Sequence, residues 1–126
     1  MSMRTPFARV TGLGSAKEGA HHFWQQRVTA AANLLLAIFF AWLVIAHIGA
    51  SRAELVASFQ NPVIAALTVL MLVSVAIHMR LGIQVVIEDY IHKESTKIIL
   101  FVLTRFFAYG MAAIGVVSVL MMSFGG

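Results

Sequence analysis

The sequence predicts an all-α membrane protein with three transmembrane helices, and two observations support this fold class. Of the 126 residues, 60% are hydrophobic and only 11% are charged, whereas about a quarter of the residues in a soluble domain carry charge. Uncharged stretches separate Arg27 from Arg52 and Glu54 from Arg80, and another follows Arg105. Each stretch is longer than the roughly 20 residues that an α-helix needs to cross a bilayer.

The ends of these helices are indicated by charge and by turn residues. Residues 49–51 end the first helix, and a short loop with Arg52 and Glu54 follows. Asn61 and Pro62 begin the second helix, because proline is well tolerated in a first turn. A short charged connection precedes the third helix. The three helices are expected at about residues 24–48, 63–87 and 98–122.

Charge also predicts the organisation of the chain across the membrane. Residues 1–22 form a polar N-terminal arm without the apolar core of a signal peptide, so we expect an uncleaved first helix in a membrane domain of residues 23–126. The arm and the second connection, with Lys93 and Lys97, carry most of the basic residues. The positive-inside rule therefore places the N-terminus in the cytoplasm (or a mitochondrial matrix) and the C-terminus on the opposite side. We expect a multi-pass protein of a bacterial cytoplasmic (inner) membrane.

Composition excludes several functional classes. The chain has no cysteine, which excludes disulfides, zinc–thiolate sites and iron–sulfur ligation by this chain and leaves histidine as the main metal ligand. The net charge of +4 does not indicate nucleic-acid binding, because the basic residues are scattered and flank the apolar spans. They are typical of topology signals.

One histidine is predicted to lie near the middle of the bilayer. His78 lies ten residues before Glu88, which places it roughly 15 Å from the inner surface. Gly82 and Asp89 follow one and three turns later on the same helix face, and the small Gly82 leaves room beside the histidine for a large flat group. Because polar groups are costly in hydrocarbon, His78 needs a partner. It is interpreted as an axial haem ligand, as a packing histidine bonded to a neighbouring helix, or as a proton-transfer or other metal site.

If the haem interpretation holds, this chain offers only one ligand at that depth. His47 lies twenty residues after Arg27, about 15 Å from His78 in depth and near the outer surface. It is interpreted as a polar residue that caps the first helix. His21 and His22 lie at the inner surface instead. A second ligand would therefore come from a partner chain, in a hetero-oligomer or a symmetric dimer.

Three arginines, one acidic residue and one tyrosine are further candidates for binding a cofactor or a substrate. Arg80 and Arg105 lie roughly 12 Å inside the inner surface, where they either meet an anionic group, such as a haem propionate or a lipid head group, or snorkel to the surface. Arg27, at the inner end of the first helix, is better placed for a propionate. Asp89 and Tyr90 suit a quinone head group, which needs a hydrogen bond and protons, or belong to an ordinary interfacial belt.

Two motifs resemble the small hydrophobic membrane anchor of succinate dehydrogenase (respiratory complex II). The first is His78-x-x-x-Gly82 followed by Asp89-Tyr90. The second spans residues 19–30 and reads Gly-Ala-His-His-Phe-x-x-x-Arg-x-Thr-Ala. Together they lie at the expected places in a three-helix chain, and the resemblance covers nearly the whole sequence.

The resemblance implies a role for each motif. His78 would be one axial ligand of a haem b, and a larger cytochrome b anchor subunit would supply the other. Tyr90 would hydrogen-bond a ubiquinone carbonyl with Asp89 beside it, and Arg27 and His21 would lie near the haem propionates and the quinone.

The resemblance also implies partners and a place in an enzyme complex. An iron–sulfur subunit and a flavoprotein subunit would dock on the cytoplasmic face, and electrons from succinate would pass through them to quinone. The chain itself would do no succinate chemistry. Two alternatives stay open: a fumarate reductase anchor that uses menaquinone, and a structural membrane subunit without a cofactor.

Overall fold

The computed structural model describes residues 5–12 and 18–125, and all of the regular secondary structure within them is α-helical. Three of its helices, α2, α4 and α5, are long and apolar enough to cross a membrane. This confirms the predicted fold class. The helices are α1 (Pro6–Thr11), α2 (Glu18–Ala46), α3 (Arg52–Phe59), α4 (Pro62–Tyr90) and α5 (Glu94–Gly125).

The membrane-spanning helices are longer than the sequence indicated. Helix α2 begins at Glu18 and not near residue 24, α4 continues to Tyr90, and α5 spans 32 residues from Glu94. The charged residues mark the edge of the bilayer, whereas a helix continues into water as long as its backbone hydrogen bonds are kept. Glu18 and Glu94 lie in first turns, where a carboxylate interacts favourably with the helix dipole. Residues 1–4 and 13–17 of the expected arm lie outside the described residues.

The prediction of a loop after the first helix is wrong in part, because Arg52 and Glu54 belong to the short helix α3. A capping box starts this helix. The Ser51 hydroxyl accepts a hydrogen bond from the Glu54 N–H at 3.3 Å, and the Glu54 carboxylate accepts one from the Ser51 N–H at 2.6 Å. Two backbone donors that the helix itself cannot satisfy are thus paired.

This capping box predicts an acid-sensitive helix start. Two hydrogen bonds with Ser51 lower the pKa of Glu54 below its ordinary value of 4.5. The bond from the Ser51 backbone N–H has the larger effect, and the bond with the Ser51 side chain has the smaller one. A lowered folded-state pKa stabilises the fold above the ordinary value, and this contribution is lost as the pH falls through the lowered value. We expect Glu54→Gln to accelerate hydrogen exchange in α3 relative to the parent at pH 6. At a pH well below 4, the variant and the parent should exchange at the same rate in α3. A ratio of the two exchange rates that is the same at both pH values would contradict this prediction.

Helix α4 lies between α2 and α5 and packs against both. Small residues allow the approach of α5: Ala108 is fully buried, and a Cβ on Gly115 would lie 3.0 Å from Leu72 Cδ1. At the end of the bundle near α3, a buried apolar cluster joins all four longer helices. It consists of Leu43, Phe59, Ala65 and Val119.

Most of the apolar surface of the three long helices remains uncovered. Within the most apolar 18-residue window of each helix, only 6%, 17% and 11% of the residues are buried in α2, α4 and α5. Lipid tails or the helices of other subunits must cover the rest. A site on this chain can therefore be completed by groups that the chain does not contain.

Candidate functional site

The His78 side chain lies in the seam between α4 and α2, where it contacts Thr29. The Thr29 hydroxyl lies 2.7 Å from the Gln25 carbonyl, 3.3 Å from the Gln26 carbonyl and 3.1 Å from His78 Nδ1. A hydroxyl has one hydrogen, and the helix carbonyls can only accept it. With this hydrogen assigned to the nearer carbonyl of Gln25, Thr29 accepts a hydrogen bond from His78 Nδ1–H.

The direction of this bond determines whether the second ring nitrogen, Nε2, carries a hydrogen or a lone pair. When Nδ1 of a neutral imidazole carries the hydrogen, Nε2 keeps its lone pair. Across the described residues, the His78 ring makes no hydrogen bond other than the one to Thr29. His78 is thus held at one nitrogen and has a free acceptor at the other, as a metal-ligating histidine requires.

The same seam contains polar atoms that lack partners. Gln26 Oε1 and Asn33 Oδ1 on α2 and Ser74 Oγ on α4 are buried and make no hydrogen bond. Asn33 and Ser74 lie four residues, about one turn, from Thr29 and His78 respectively. A buried polar atom without a partner costs free energy. A polar group from outside the described chain would satisfy these atoms.

Gly82, one turn after His78, leaves space beside the histidine. A Cβ at this position would have one neighbour, Gln26 Nε2, at 3.8 Å. The sequence indicated that a small residue here leaves room for a flat group. The open surroundings of Gly82 are consistent with that interpretation.

Asp89 and Tyr90 form the end of α4 and are exposed. Tyr90 has 76% of its surface accessible, and neither side chain makes a hydrogen bond to another described residue. Both lie about three turns beyond His78 on the same helix. The chain alone therefore presents this pair on a surface and does not enclose it in a pocket.

Arg27 and His21 lie on α2, and the structure does not bring them to His78. The Arg27 guanidinium lies 5.0 Å from the centre of the Phe23 ring on its own helix. Arg27 is two residues, or about 200°, from Thr29, so it does not share the face that meets α4. His21 is exposed and lines a separate cavity.

That cavity is the main feature that the sequence did not reveal. It has a volume of about 430 Å³ and opens between α2, α4 and α5 at the end that carries Tyr90. Distance from the charged connection predicted the same depth for Arg80 and Arg105, and both line the cavity. Neither His78 nor the pair Asp89 and Tyr90 lies in its wall.

His47 lies at the opposite end of the bundle and is fully engaged within the chain. Its Nδ1 lies 2.7 Å from the Leu43 carbonyl, in the last turn of α2, and its Nε2 lies 2.7 Å from the Ser58 hydroxyl. Since the carbonyl only accepts, Nδ1 donates to it and so satisfies one of the terminal carbonyls of α2. His47 connects α2 to α3 and has no nitrogen available for a metal.

No group of three or more His, Asp or Glu side chains in the described part of the chain could hold a metal ion. A metal bound by this chain alone is therefore not indicated within residues 5–12 and 18–125. The single free imidazole nitrogen of His78 suits a cofactor whose remaining ligands come from elsewhere. Thr29 belongs to one of the two sequence motifs but had no predicted role; the only available signal was a hydroxyl residue at a depth similar to that of His78.

The chain is similar to membrane subunits of one enzyme complex. The family model described as "Succinate dehydrogenase/Fumarate reductase transmembrane subunit" matches residues 1–118. The succinate dehydrogenase hydrophobic membrane anchor subunit of Paracoccus denitrificans is 36% identical over 93 residues, which cover 74% of this chain and 72% of that protein. The subunit of the same name from Rickettsia bellii is 27% identical over 105 residues, with 83% and 84% covered.

A third relative extends the similarity beyond these two organisms. The succinate dehydrogenase membrane anchor subunit of Reclinomonas americana is 30% identical over 95 residues, which cover 73% of this chain and 79% of that protein. No solved structure matches this chain.

Proposed function

Since this chain belongs to the succinate dehydrogenase/fumarate reductase transmembrane subunit family and is a multi-pass protein of a bacterial inner membrane, we propose that it binds haem b through His78. It is a membrane anchor subunit of this enzyme complex. The proposed role is to hold the haem, to form part of a ubiquinone site, and to dock the succinate-oxidising subunits on the membrane.

The hydrogen bond between Thr29 and His78 is the observation that carries the haem proposal. At 3.1 Å it orients the ring and leaves Nε2 with a lone pair. A hydrogen bond of this kind to the second ring nitrogen is usual for metal-ligating histidines. The seam supports the proposal in two further ways, because Gly82 leaves open space and buried polar atoms nearby lack partners. When bound, haem b takes up and releases single electrons.

A second axial ligand must come from another chain. His47 has both ring nitrogens engaged. His21 and His22 lie about two turns before Thr29 on α2, and therefore far from the level of His78. The uncovered apolar face of α4 offers room for a helix of a larger cytochrome b anchor subunit. That subunit would place its own histidine opposite Nε2 of His78.

The end of α4 is proposed as this chain's part of the ubiquinone site. The exposed Tyr90 hydroxyl would donate a hydrogen bond to a quinone carbonyl, and the Asp89 carboxylate would orient the head group or deliver protons. Arg27 and His21 would lie toward the haem propionates and the quinone once the partner subunits are present. We place this end in the cytoplasm, where the iron–sulfur and flavoprotein subunits would dock.

A fumarate reductase anchor that uses menaquinone is the second candidate, because the matching family model covers both enzymes. The relatives named above are succinate dehydrogenase subunits, which favours the first candidate.

The test is a reduced-minus-oxidised visible spectrum of the purified complex, recorded together with the identity of the subunits that co-purify. A b-type haem signal with an iron–sulfur protein and a flavoprotein attached is the expected result. A colourless three-helix protein that purifies alone would show that His78 is a packing residue and would overturn the proposal.

Thr29 gives a finer test of how His78 is held. Thr29→Val keeps the shape of the side chain and removes the acceptor of the Nδ1–H bond. We expect haem retention to fall about 10-fold or more, the usual cost of losing the hydrogen-bond partner of a metal ligand. The matched control is Thr29→Ser, which keeps the hydroxyl and should retain the haem. Equal retention in the valine and serine variants would show that the hydrogen bond does not position His78.

A further inference from the structure

The wall of the cavity of about 430 Å³ between α2, α4 and α5 contains neither the proposed haem ligand His78 nor the proposed quinone residues Asp89 and Tyr90, and it shares His21 with the proposed propionate region. It opens on a different side of α4 from the proposed haem ligand, because Arg80 and Gln84 lie about 200° and 240° round the helix from His78. Its polar lining consists mainly of Glu18, His21, His22, Arg80, Glu88 and Arg105.

Both arginines of this cavity lack a carboxylate partner. The ion pair between Lys97 and Glu94 is the one formed within residues 5–12 and 18–125, and it involves neither arginine. The Arg80 guanidinium lies 5.9 Å from the centre of the Tyr109 ring, and its Nε is buried without a hydrogen bond. A buried N–H group without an acceptor costs free energy. Arg80 therefore has an unsatisfied donor that a bound anion would pair.

A second buried nitrogen points to the same requirement. His22 lines the cavity from α2, and its Nε2 is buried without a partner. Two unpartnered nitrogens, from Arg80 on α4 and His22 on α2, thus lie in the wall of one cavity. Such an arrangement suits a group with several oxygen acceptors, and a phosphate ester is the group of this kind that a membrane supplies in abundance.

The carboxylates of the cavity lie farther from the hydrocarbon than the arginines. Glu88 lies eight residues after Arg80 on α4, about 12 Å closer to the end of the helix. Glu18 lies in the first turn of α2, and both carboxylates are exposed. Glu88 accepts a hydrogen bond from Gln84 Nε2 at 2.8 Å and keeps its other oxygen free.

The depth of these charges follows the order of charges in a zwitterionic lipid. In phosphatidylethanolamine the phosphate is next to the acyl tails, and the ammonium group lies farther out. With neutral histidines, the two arginines and two glutamates of the cavity also balance to zero. A purely anionic head group would be repelled by the carboxylates at the rim.

We propose that this cavity binds the head group of a phospholipid with a primary amine, such as phosphatidylethanolamine. Arg80 and Arg105 hold the phosphate, with His22 as a further donor. Glu18 and Glu88 receive the ammonium group at the rim. The lipid thereby occupies the groove between α2 and α5, whose wall contains neither His78 nor Tyr90.

The test uses the purified complex, stripped of lipid by detergent and returned to mixed micelles of phosphatidylethanolamine, phosphatidylglycerol and phosphatidylcholine in equal amounts. Native mass spectrometry then measures which lipid is retained. We expect the parent to retain one phosphatidylethanolamine that Arg80→Gln binds about tenfold more weakly or not at all, since a hydrogen-bonded charge is lost. Glu88→Gln should keep a lipid but lose the preference for phosphatidylethanolamine over phosphatidylglycerol.

Two controls separate a lipid site from loss of folding. Arg80→Lys keeps a cation and should recover part of the retention, and Arg52→Gln, on the exposed surface of α3 at the other end of the bundle, should have no effect. Thermal unfolding and subunit co-purification of every variant report whether the complex is intact.

Three outcomes would overturn the proposal. Unchanged lipid retention in Arg80→Gln would show that the cavity is filled by something else, such as a carboxylate of a neighbouring subunit. Tighter retention of phosphatidylglycerol than of phosphatidylethanolamine by the parent would refute the role of the amine. Retention that follows thermal stability across all variants would show a general effect of folding and no specific site.

Discussion

His78→Ala is expected to abolish the b-type haem absorbance of the purified complex while the subunits still co-purify. The physical reason is that His78 offers the one imidazole nitrogen near the bilayer centre that makes no hydrogen bond in the described chain. Alanine would leave a cavity in place of the imidazole that is proposed to hold the haem. The measurement is the reduced-minus-oxidised spectrum, normalised to the protein content of the complex.

A matched control is available within the same sequence. His47→Ala removes a histidine that is engaged at both nitrogens at the opposite end of the bundle. This variant should lose some stability but keep the haem spectrum. If His78→Ala gave the same spectrum as the parent, the proposal of haem ligation would be wrong, and the packing interpretation of His78 would hold.

Tyr90→Phe is expected to lower quinone reductase activity roughly tenfold, because one hydrogen bond to the quinone carbonyl is lost. The haem spectrum should persist, since Tyr90 lies about three turns from His78. The measurement is the rate of succinate-dependent reduction of a soluble ubiquinone analogue. Tyr109→Phe is the matched control, because Tyr109 is the other tyrosine and lies on α5 beside Arg80. Similar rates in the Tyr90 and Tyr109 variants would refute the quinone role.

The fold could be predicted because charge is very costly to place in hydrocarbon, and this cost outweighs local preferences along the chain. The uncharged stretches therefore indicated the number of long helices correctly. The same signal could not locate the helix ends, since α2 and α4 continue past the bilayer edge. It also could not reveal α3, whose start depends on the local bonds between Ser51 and Glu54 and not on hydrophobicity.

The candidate site was predictable along one helix and not between helices. Periodicity placed Gly82 and Asp89 on the face of His78, because residue spacing alone fixes direction on α4. The contact of His78 with Thr29 depends on how α2 is shifted along α4, which no pattern in either segment encodes. The cavity around Arg80 likewise arises from the placement of α2 and α5 on either side of α4.

Because α4 is continuous from Pro62 to Tyr90, an insertion or a deletion within it changes the relative orientation of the residues on either side. Asp89 lies eleven positions after His78, close to a whole number of helical turns. Adding or removing one residue in this interval would turn one end against the other by about 100°. A change of length here would therefore be far more damaging than most substitutions. The stretch 79–88 should tolerate exchanges of side chain but hardly any change in the number of residues.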